Sequence, residues 1–186
     1  IRNHCIAQVV TSSPVSPWPD IMQGYMRILL EAKEYVYMES PYFLPTEPIL
    51  FAMRTASQAG VDIRLMLPAR SDSRIIEWAG RSYTQAALEA GVKVCFYCAG
   101  FNHSKLLVCD DSLCTCGSTN VDFRSFENNF EANVFFYDRD MALRLKKVYL
   151  DDEAECIVLD NPDIFAHRPF LARLWESLIR LLSPLL

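Results

Sequence analysis

Four polar side chains in the second half of the sequence have the types and spacing needed for chemistry on a phosphodiester. His103 and Lys105 are two positions apart, and Ser118 and Asn120 repeat that spacing farther along the chain. Residues two apart on a strand share a face, so a hairpin joining these segments would gather all four side chains. Lysine, serine and asparagine can donate hydrogen bonds to phosphate oxygens, and imidazole can attack phosphorus or carry a proton. The spacing therefore predicts a phosphate-binding site.

The carboxylates of the sequence indicate how the negative charge of a bound phosphate would be neutralised. Asp110 lies at an odd interval from Lys105, so it should point to the opposite side of a regular strand and organise the turn. No carboxylate cluster typical of a Mg²⁺ site is evident in the sequence. We therefore expect protein groups, rather than a metal or another cofactor, to neutralise the phosphate.

The segment from His103 to Asn120 reads HSKLLVCDDSLCTCGSTN. It matches the HKD signature at every fixed position, so the sequence resembles the phospholipase D superfamily. The resemblance implies that His103 and Lys105 are catalytic and that Asp110 and Gly117 are structural parts of the motif. Superfamily members use two such blocks facing each other, and this sequence contains one.

Flanking segments narrow the resemblance to one branch of that superfamily. Residues 122–131, DFRSFENNFE, resemble cardiolipin synthases more than nucleases, as do residues 40–45, SPYFLP, and the segments 168–170 and 180–186. In the superfamily, a glutamate at the position of Glu131 holds the catalytic histidine in its tautomer and orientation, and the resemblance assigns Glu131 that role. The implied protein is the C-terminal half of a bacterial cardiolipin synthase.

That resemblance implies a reaction and a set of partners. Two molecules of phosphatidylglycerol would react through a phosphohistidine, with the second block supplied by an N-terminal half or a dimer mate. His103 could be the nucleophile or the general acid and base. The site would face a membrane surface on the cytoplasmic side of a bacterial cell membrane. Tyr42, Phe43 and Phe101 are candidates for an apolar mouth that favours a lipid alcohol over water, or for ordinary core residues.

Composition limits the competing functions. The net charge is −5 and the sequence pI is about 5.2, without the basic excess of a nucleic-acid partner. A homodimeric phosphodiesterase or nuclease, or an inactive isolated half domain, nevertheless remain alternatives. The odd total of seven cysteines favours a reducing compartment. Cys95 with Cys98, and Cys114 with Cys116, lie in apolar strand-like runs and are interpreted as core residues rather than zinc ligands.

Hydrophobic periodicity predicts an α/β fold with a mixed, largely parallel sheet and helices on both faces. The opening at Ile1, without methionine and almost directly before a strand, suggests a chain cut from a longer protein. Residues 1–160 are expected to form one HKD domain, with residues 161–186 an amphipathic helix of the same unit that docks on protein or lies at a membrane. The predicted strands are 6–12, 35–39, 61–68, 92–97, 105–109, 113–116 and 131–137, and the predicted helices before that last segment are 20–32, 46–60, 71–90 and 138–154.

Overall fold

The structure, a computed structural model, describes residues 4–165 and Ile179. Strands and helices alternate along most of this length, as the sequence predicts. The strands are β1 (Ala7–Ser12), β2 (Tyr35–Glu39), β3 (Phe43–Leu44), β4 (Asp62–Pro68), β5 (Lys93–Tyr97), β6 (Leu106–Cys109), β7 (Leu113–Gly117), β8 (Val121–Asp122), β9 (Glu131–Phe136) and β10 (Cys156–Leu159). The α-helices are α1 (Asp20–Glu31), α2 (Glu47–Gln58), α3 (Arg74–Glu89) and α4 (Arg139–Glu153), with a π-helix at Arg124–Asn128 and a 3₁₀-helix at Pro162–Phe165.

Eight of the strands form one sheet in the order β1-β9-β7-β6-β2-β4-β5-β10. Strand β4 runs parallel to both β2 and β5, whereas the other neighbouring strands pair antiparallel. The mixed α/β class is confirmed, but its parallel part is confined to three strands, which corrects the expectation of a largely parallel sheet. In this eight-stranded sheet, α2 and α3 serve as the long crossovers that parallel neighbours require.

Helices cover both faces of the sheet, as predicted. Alternation along β2 directs Val36 and Met38 into the larger core cluster, to which α1, α2 and α3 contribute. Tyr35 and Tyr37 point to the opposite face and pack with α4, where the Tyr149 ring stacks on Tyr37 at a centroid distance of 4.9 Å. Because β2 is buried on both faces, it reads as a continuous apolar run rather than an alternating one.

The two crossover helices end in the same local structure, which explains the repeated Ala-Gly-Val sequence. Gly60 has a φ of +94° and Gly91 a φ of +87°, a left-handed conformation that glycine adopts without a Cβ penalty. The following N–H groups turn back to the helix, with Val61 bonded to the Ala56 carbonyl at 3.1 Å. This helix end directs the chain straight into β4 and β5, and it can be recognised from sequence alone.

Three short strands were not predicted. Residues 40–45 belong to none of the predicted strands and helices, but β3 lies within them and pairs parallel with β8 in a separate two-stranded sheet. Strand β10 adds the outer edge beside β5. Its Ile157 side chain is exposed, so the run lacks the alternation that marks a half-buried strand. Short pieces of this kind depend on a neighbouring strand rather than on their own sequence pattern.

Asp110 lies in the β6–β7 turn, at the end of β6 opposite to Lys105. The turn requires positive φ at Asp110 (+47°) and Asp111 (+50°), which aspartate tolerates better than most residues. The Asp110 carboxylate accepts backbone N–H groups from Lys33, Glu34 and Tyr35 at 2.8, 3.0 and 2.8 Å. It therefore ties the hairpin to the start of β2.

Replacing Asp110 with alanine is expected to lower the free energy of unfolding by about 2 kcal/mol, because three N–H groups lose a charged acceptor. Urea unfolding followed by circular dichroism measures the change. Asp110→Asn is the matched control, since the asparagine oxygen can still accept from Glu34 and Tyr35 and asparagine also tolerates the turn. If the alanine variant unfolds at the same urea concentration as the unmodified protein, Asp110 does not have this structural role.

The C-terminal amphipathic helix predicted for residues 161–186 lies outside the described residues, apart from the 3₁₀-helix and Ile179. The Ile179 side chain is buried and belongs to the larger core cluster. Within 4–165, no helix has the length and apolar character needed to cross a bilayer.

Candidate active site

The predicted site residues, apart from Asp110 at the opposite end of β6, converge on one edge of the sheet. The start of β6 lies beside the end of β7, since Leu106 pairs with Cys116, and the end of β7 lies beside the start of β9. On its other side, β6 begins opposite Glu39, the last residue of β2. This is also the edge at which the parallel strands have their carboxyl ends, where α/β sheets commonly bind ligands.

His103 and Lys105 are in contact, although neither lies on a strand. Both precede Leu106, where β6 begins, which corrects the expectation that they share a strand face. The Lys105 Nζ atom lies 3.1 Å from Nδ1 and 3.4 Å from Nε2 of His103. It also donates to the His103 backbone carbonyl at 2.7 Å. The ammonium and the imidazole thus lie in contact near the carboxyl ends of the parallel strands.

Two of the three aromatic residues considered for an apolar mouth flank the exposed His103 side chain. The Phe101 ring stacks against the imidazole at a centroid distance of 5.7 Å, and the Tyr42 ring meets it edge-on at 6.3 Å. Phe43 is instead buried in the core with only 2% of its surface exposed. The imidazole therefore stands in a partly apolar setting that is open on one side.

Lys105 is near two carboxylates as well as the imidazole. Burial lowers the pKa of its ammonium below the ordinary lysine value, whereas the negative charges of Glu131 and Asp122 act in the opposite direction. Both carboxylates are thus close enough to influence the Lys105 charge. This links Lys105 electrostatically to the segments that follow β7.

Glu131, expected to orient His103, bonds to other partners. Its carboxylate accepts the Ser118 hydroxyl proton, and it accepts the Asn129 amide at 3.1 Å. In the described part of the chain it makes no hydrogen bond to His103. The Ser118 oxygen also accepts the Ala132 N–H at 3.0 Å. Since serine has one hydroxyl proton, Ser118 in this conformation positions Glu131 and has no proton left for a phosphate oxygen.

Asn120 is held by a neighbouring carboxylate. Its Nδ2 atom donates to Asp122 at 3.0 Å, and the other Asp122 oxygen accepts the Ser125 N–H at 2.6 Å. Asp122 is buried, with 7% of its surface exposed, and so fixes both Asn120 and the start of the π-helix. One amide proton of Asn120 remains for a phosphate oxygen.

Gly117 allows β7 and β9 to approach each other closely next to the site. A Cβ atom at this position would collide with the Asn133 side chain and the Ala132 carbonyl, and would lie 2.6 Å from the Asn133 Cα. The Gly117 N–H donates to the Lys105 carbonyl at 3.3 Å. Any side chain here would push β9, and Glu131 with it, away from Lys105.

The structure adds polar residues that the sequence reasoning missed. Glu39, Ser40 and Asn102 form hydrogen bonds around the His103 loop and the segment after Asn120. A signal for Glu39 is present in the sequence, since a carboxylate ends an apolar strand directly before Ser-Pro. That signal becomes informative only once the strand is known to be buried on both faces.

The paired cysteines do not form a ligand cluster in the described residues. Cys95 and Cys114 are both buried in the smaller core cluster beside α4. No group of three or more histidine, cysteine, aspartate or glutamate side chains with metal-binding geometry occurs within 4–165.

Comparisons with known proteins agree with this fold and with the motif at its edge. The family model described as "Cardiolipin synthase, PLD-like domain" matches residues 25–152. Cardiolipin synthase of Clostridium perfringens strain SM101 is 40% identical over 182 residues, covering 97% of this chain and 38% of the relative. The chain thus spans well under half the length of that relative.

Solved structures show the same fold at low sequence identity. The phospholipase D family member Nuc from Salmonella typhimurium superposes with a TM-score of 0.70 at 18% identity, covering 84% of this chain and 99% of that one. Phosphatidylserine synthase from Haemophilus influenzae gives a TM-score of 0.77 at 14% identity, covering 100% of this chain and 49% of the other. One chain of this length therefore corresponds to a whole fold unit in the first and to about half of the second.

Proposed function

This chain belongs to the family of cardiolipin synthase phospholipase D-like domains, and we propose that it is the C-terminal catalytic half of a phosphatidyltransferase that makes cardiolipin from two phosphatidylglycerol molecules. The observation that carries the proposal is the contact between the Lys105 ammonium and the His103 imidazole at the sheet edge. The ammonium can neutralise the charge of a phosphodiester. The imidazole can transfer a proton to or from the substrate, or form a bond to its phosphorus.

In the proposed first step, an imidazole nitrogen attacks the phosphorus of phosphatidylglycerol. A nitrogen–phosphorus bond forms, and the bond from phosphorus to the glycerol oxygen breaks. A second imidazole gives its proton to the departing glycerol. We assign this acid and base role to His103, because the first half of two-block relatives usually supplies the nucleophile.

In the second step, the His103 imidazole takes the proton from a glycerol hydroxyl of another phosphatidylglycerol. The hydroxyl oxygen then attacks phosphorus, the nitrogen–phosphorus bond breaks, and cardiolipin leaves. Both histidines return to their starting protonation states, so the reaction needs no further reactant. Tyr42 and Phe101, beside the imidazole, would favour a lipid alcohol over water at this step.

Other site residues have supporting roles in this proposal. Lys105 and the remaining amide proton of Asn120 would bind the non-bridging phosphate oxygens. Ser118 would join them only after its hydroxyl turns away from Glu131. Glu131 would hold the Ser118–Ala132 corner of the site in place, and its negative charge would favour the charged form of Lys105.

The proposed reaction sets the partners and the location. Two imidazoles must act on one phosphorus, so a second HKD block is needed, from an N-terminal half of the same protein or from a dimer mate. The substrate is a membrane phospholipid, so the site would work at the cytoplasmic face of a bacterial membrane. No nucleic-acid partner is proposed, in agreement with the net charge of −5.

The test is to incubate the full-length protein with vesicles of labelled phosphatidylglycerol and to identify the lipid products by mass spectrometry. Cardiolipin and free glycerol in equal amounts are expected. Phosphatidic acid as the main product would show that water is the acceptor, and would replace the transferase with a phospholipase. Cleavage of DNA without any lipid product would favour the nuclease alternative and overturn the proposal.

A further inference from the structure

Glu39 is a buried carboxylate directly beneath the His103 loop. It ends β2 at the site edge of the sheet and exposes only 2% of its surface. One oxygen accepts the Asn102 side-chain amide at 3.1 Å. Burial raises the pKa of the Glu39 carboxyl above its ordinary value, and hydrogen bonds from the Asn102 and Ser104 side chains oppose that rise. A group so costly to bury needs a local reason.

Asn102 passes this interaction on to the backbone around His103. While its amide nitrogen donates to Glu39, its Oδ1 atom accepts the Ser104 N–H at 2.8 Å. This side-chain bond to the residue two positions on is an Asx turn, and His103 is the residue it encloses. The orientation of the Asn102 amide thus determines the local path of the chain that carries the imidazole.

Ser40, the residue after Glu39, holds the segment that follows Asn120 on the other side of the same site. Its hydroxyl accepts the Val121 N–H at 3.0 Å and donates to the Tyr42 carbonyl at 2.6 Å. Val121 directly follows Asn120. Two consecutive residues at the end of β2 therefore hold both segments of the motif, although they lie far from it in sequence.

We infer that Glu39 is a positioning residue, which acts through Asn102 to hold His103 in its reactive orientation. The inference rests on the proposed function, because it concerns the catalytic work of His103. Proton transfer to or from a phosphoryl centre requires the imidazole within hydrogen-bond reach of the reacting oxygen. A misplacement of about 1 Å can lower the rate about 100-fold.

Exchanging the hydrogen-bond donor and acceptor between Glu39 and Asn102 distinguishes the positioning of His103 from simple packing. Asn102→Asp keeps the acceptor for the Ser104 N–H but replaces the amide donor with a carboxylate, which repels Glu39 when both groups are ionised. We expect kcat to fall about 10- to 100-fold, with KM changed less than about threefold. Glu39→Gln leaves an oxygen that can accept from Asn102, and its kcat should fall at most about fivefold.

The double variant Glu39→Gln with Asn102→Asp restores a hydrogen bond with the donor on the opposite side. Its kcat is expected to return to within about fivefold of the unmodified full-length protein. Asn161→Asp is the matched control, because Asn161 forms the same turn bond to the Asp163 N–H, at 2.8 Å, beyond β10 and outside the motif. It should leave kcat unchanged.

Product formation from phosphatidylglycerol and thermal unfolding are measured for all five proteins. Full kcat in Asn102→Asp, or a double variant that is folded but as slow as Asn102→Asp, would overturn the positioning role. Should Asn102→Asp fail to fold, the double variant still decides the matter by its kcat. If the unmodified protein transfers no phosphatidyl group to any acceptor, the proposed function fails instead, a result that the variants cannot mimic.

Discussion

Replacing His103 with alanine is expected to lower phosphatidyl transfer by at least about 10³-fold while leaving the thermal unfolding temperature nearly unchanged. Alanine removes the only imidazole of the motif, and neither Lys105 nor a water molecule can take over its proton transfer at neutral pH. The His103 side chain is exposed, so its removal costs little packing. The measurement is the initial rate of cardiolipin formation by the full-length protein.

His4→Ala provides the matched control, because His4 is also exposed and lies outside the motif. It should retain the full rate. A substrate whose leaving group needs no proton, such as phosphatidyl p-nitrophenol, distinguishes the two roles of His103. If His103 is the acid, the alanine variant should still release p-nitrophenolate in a first turnover. If His103 is the nucleophile, that release should be lost as well. Near-normal transfer of phosphatidylglycerol by His103→Ala would remove His103 from the mechanism.

The chain of 186 residues, prepared by itself as a monomer, is expected to turn over at least about 10³-fold more slowly than the full-length protein. One imidazole cannot be nucleophile and general acid at the same phosphorus atom. Its sheet should still form, because the core clusters on both faces are made by residues of this chain. Circular dichroism checks that the chain folds, and labelled phosphatidylglycerol reports its activity.

Sedimentation measured under the assay conditions provides the control for this result. Activity confined to a dimer would mean that a second copy supplies the second imidazole, which agrees with the two-block mechanism. Adding the separately prepared N-terminal half should restore turnover in the same way. Robust turnover by a strictly monomeric chain would contradict the mechanism, since a single HKD block would then suffice.

Much of the fold could be predicted from local sequence signals. The bounds of β2 agree with its apolar run at both ends, and the helix ends at Gly60 and Gly91 follow from a residue that readily adopts positive φ. The β6–β7 hairpin follows from two apolar runs separated by turn residues. These features depend on interactions between residues close in sequence, so a single chain segment contains all the information needed.

The order and direction of the strands depended on distant neighbours. Whether β9 lies beside β7 or elsewhere depends on where the chain can bury its apolar face, which no segment determines alone. The same applies to β1 and β10, which complete the two outer edges of the sheet. Hence the mixed class could be predicted, whereas the limited extent of parallel pairing could not.

The sequence by itself predicted which residues could do the chemistry, because few other roles require the spacing of His103, Lys105 and Asn120. Only the tertiary structure decided how they are held. Hydrogen bonds from Asn102 to Glu39 and from Val121 to Ser40 join residues more than sixty positions apart, and Glu131 bonds to Ser118 rather than to His103. Buried polar groups must find partners wherever the fold places them, and that requirement acts through space rather than along the chain.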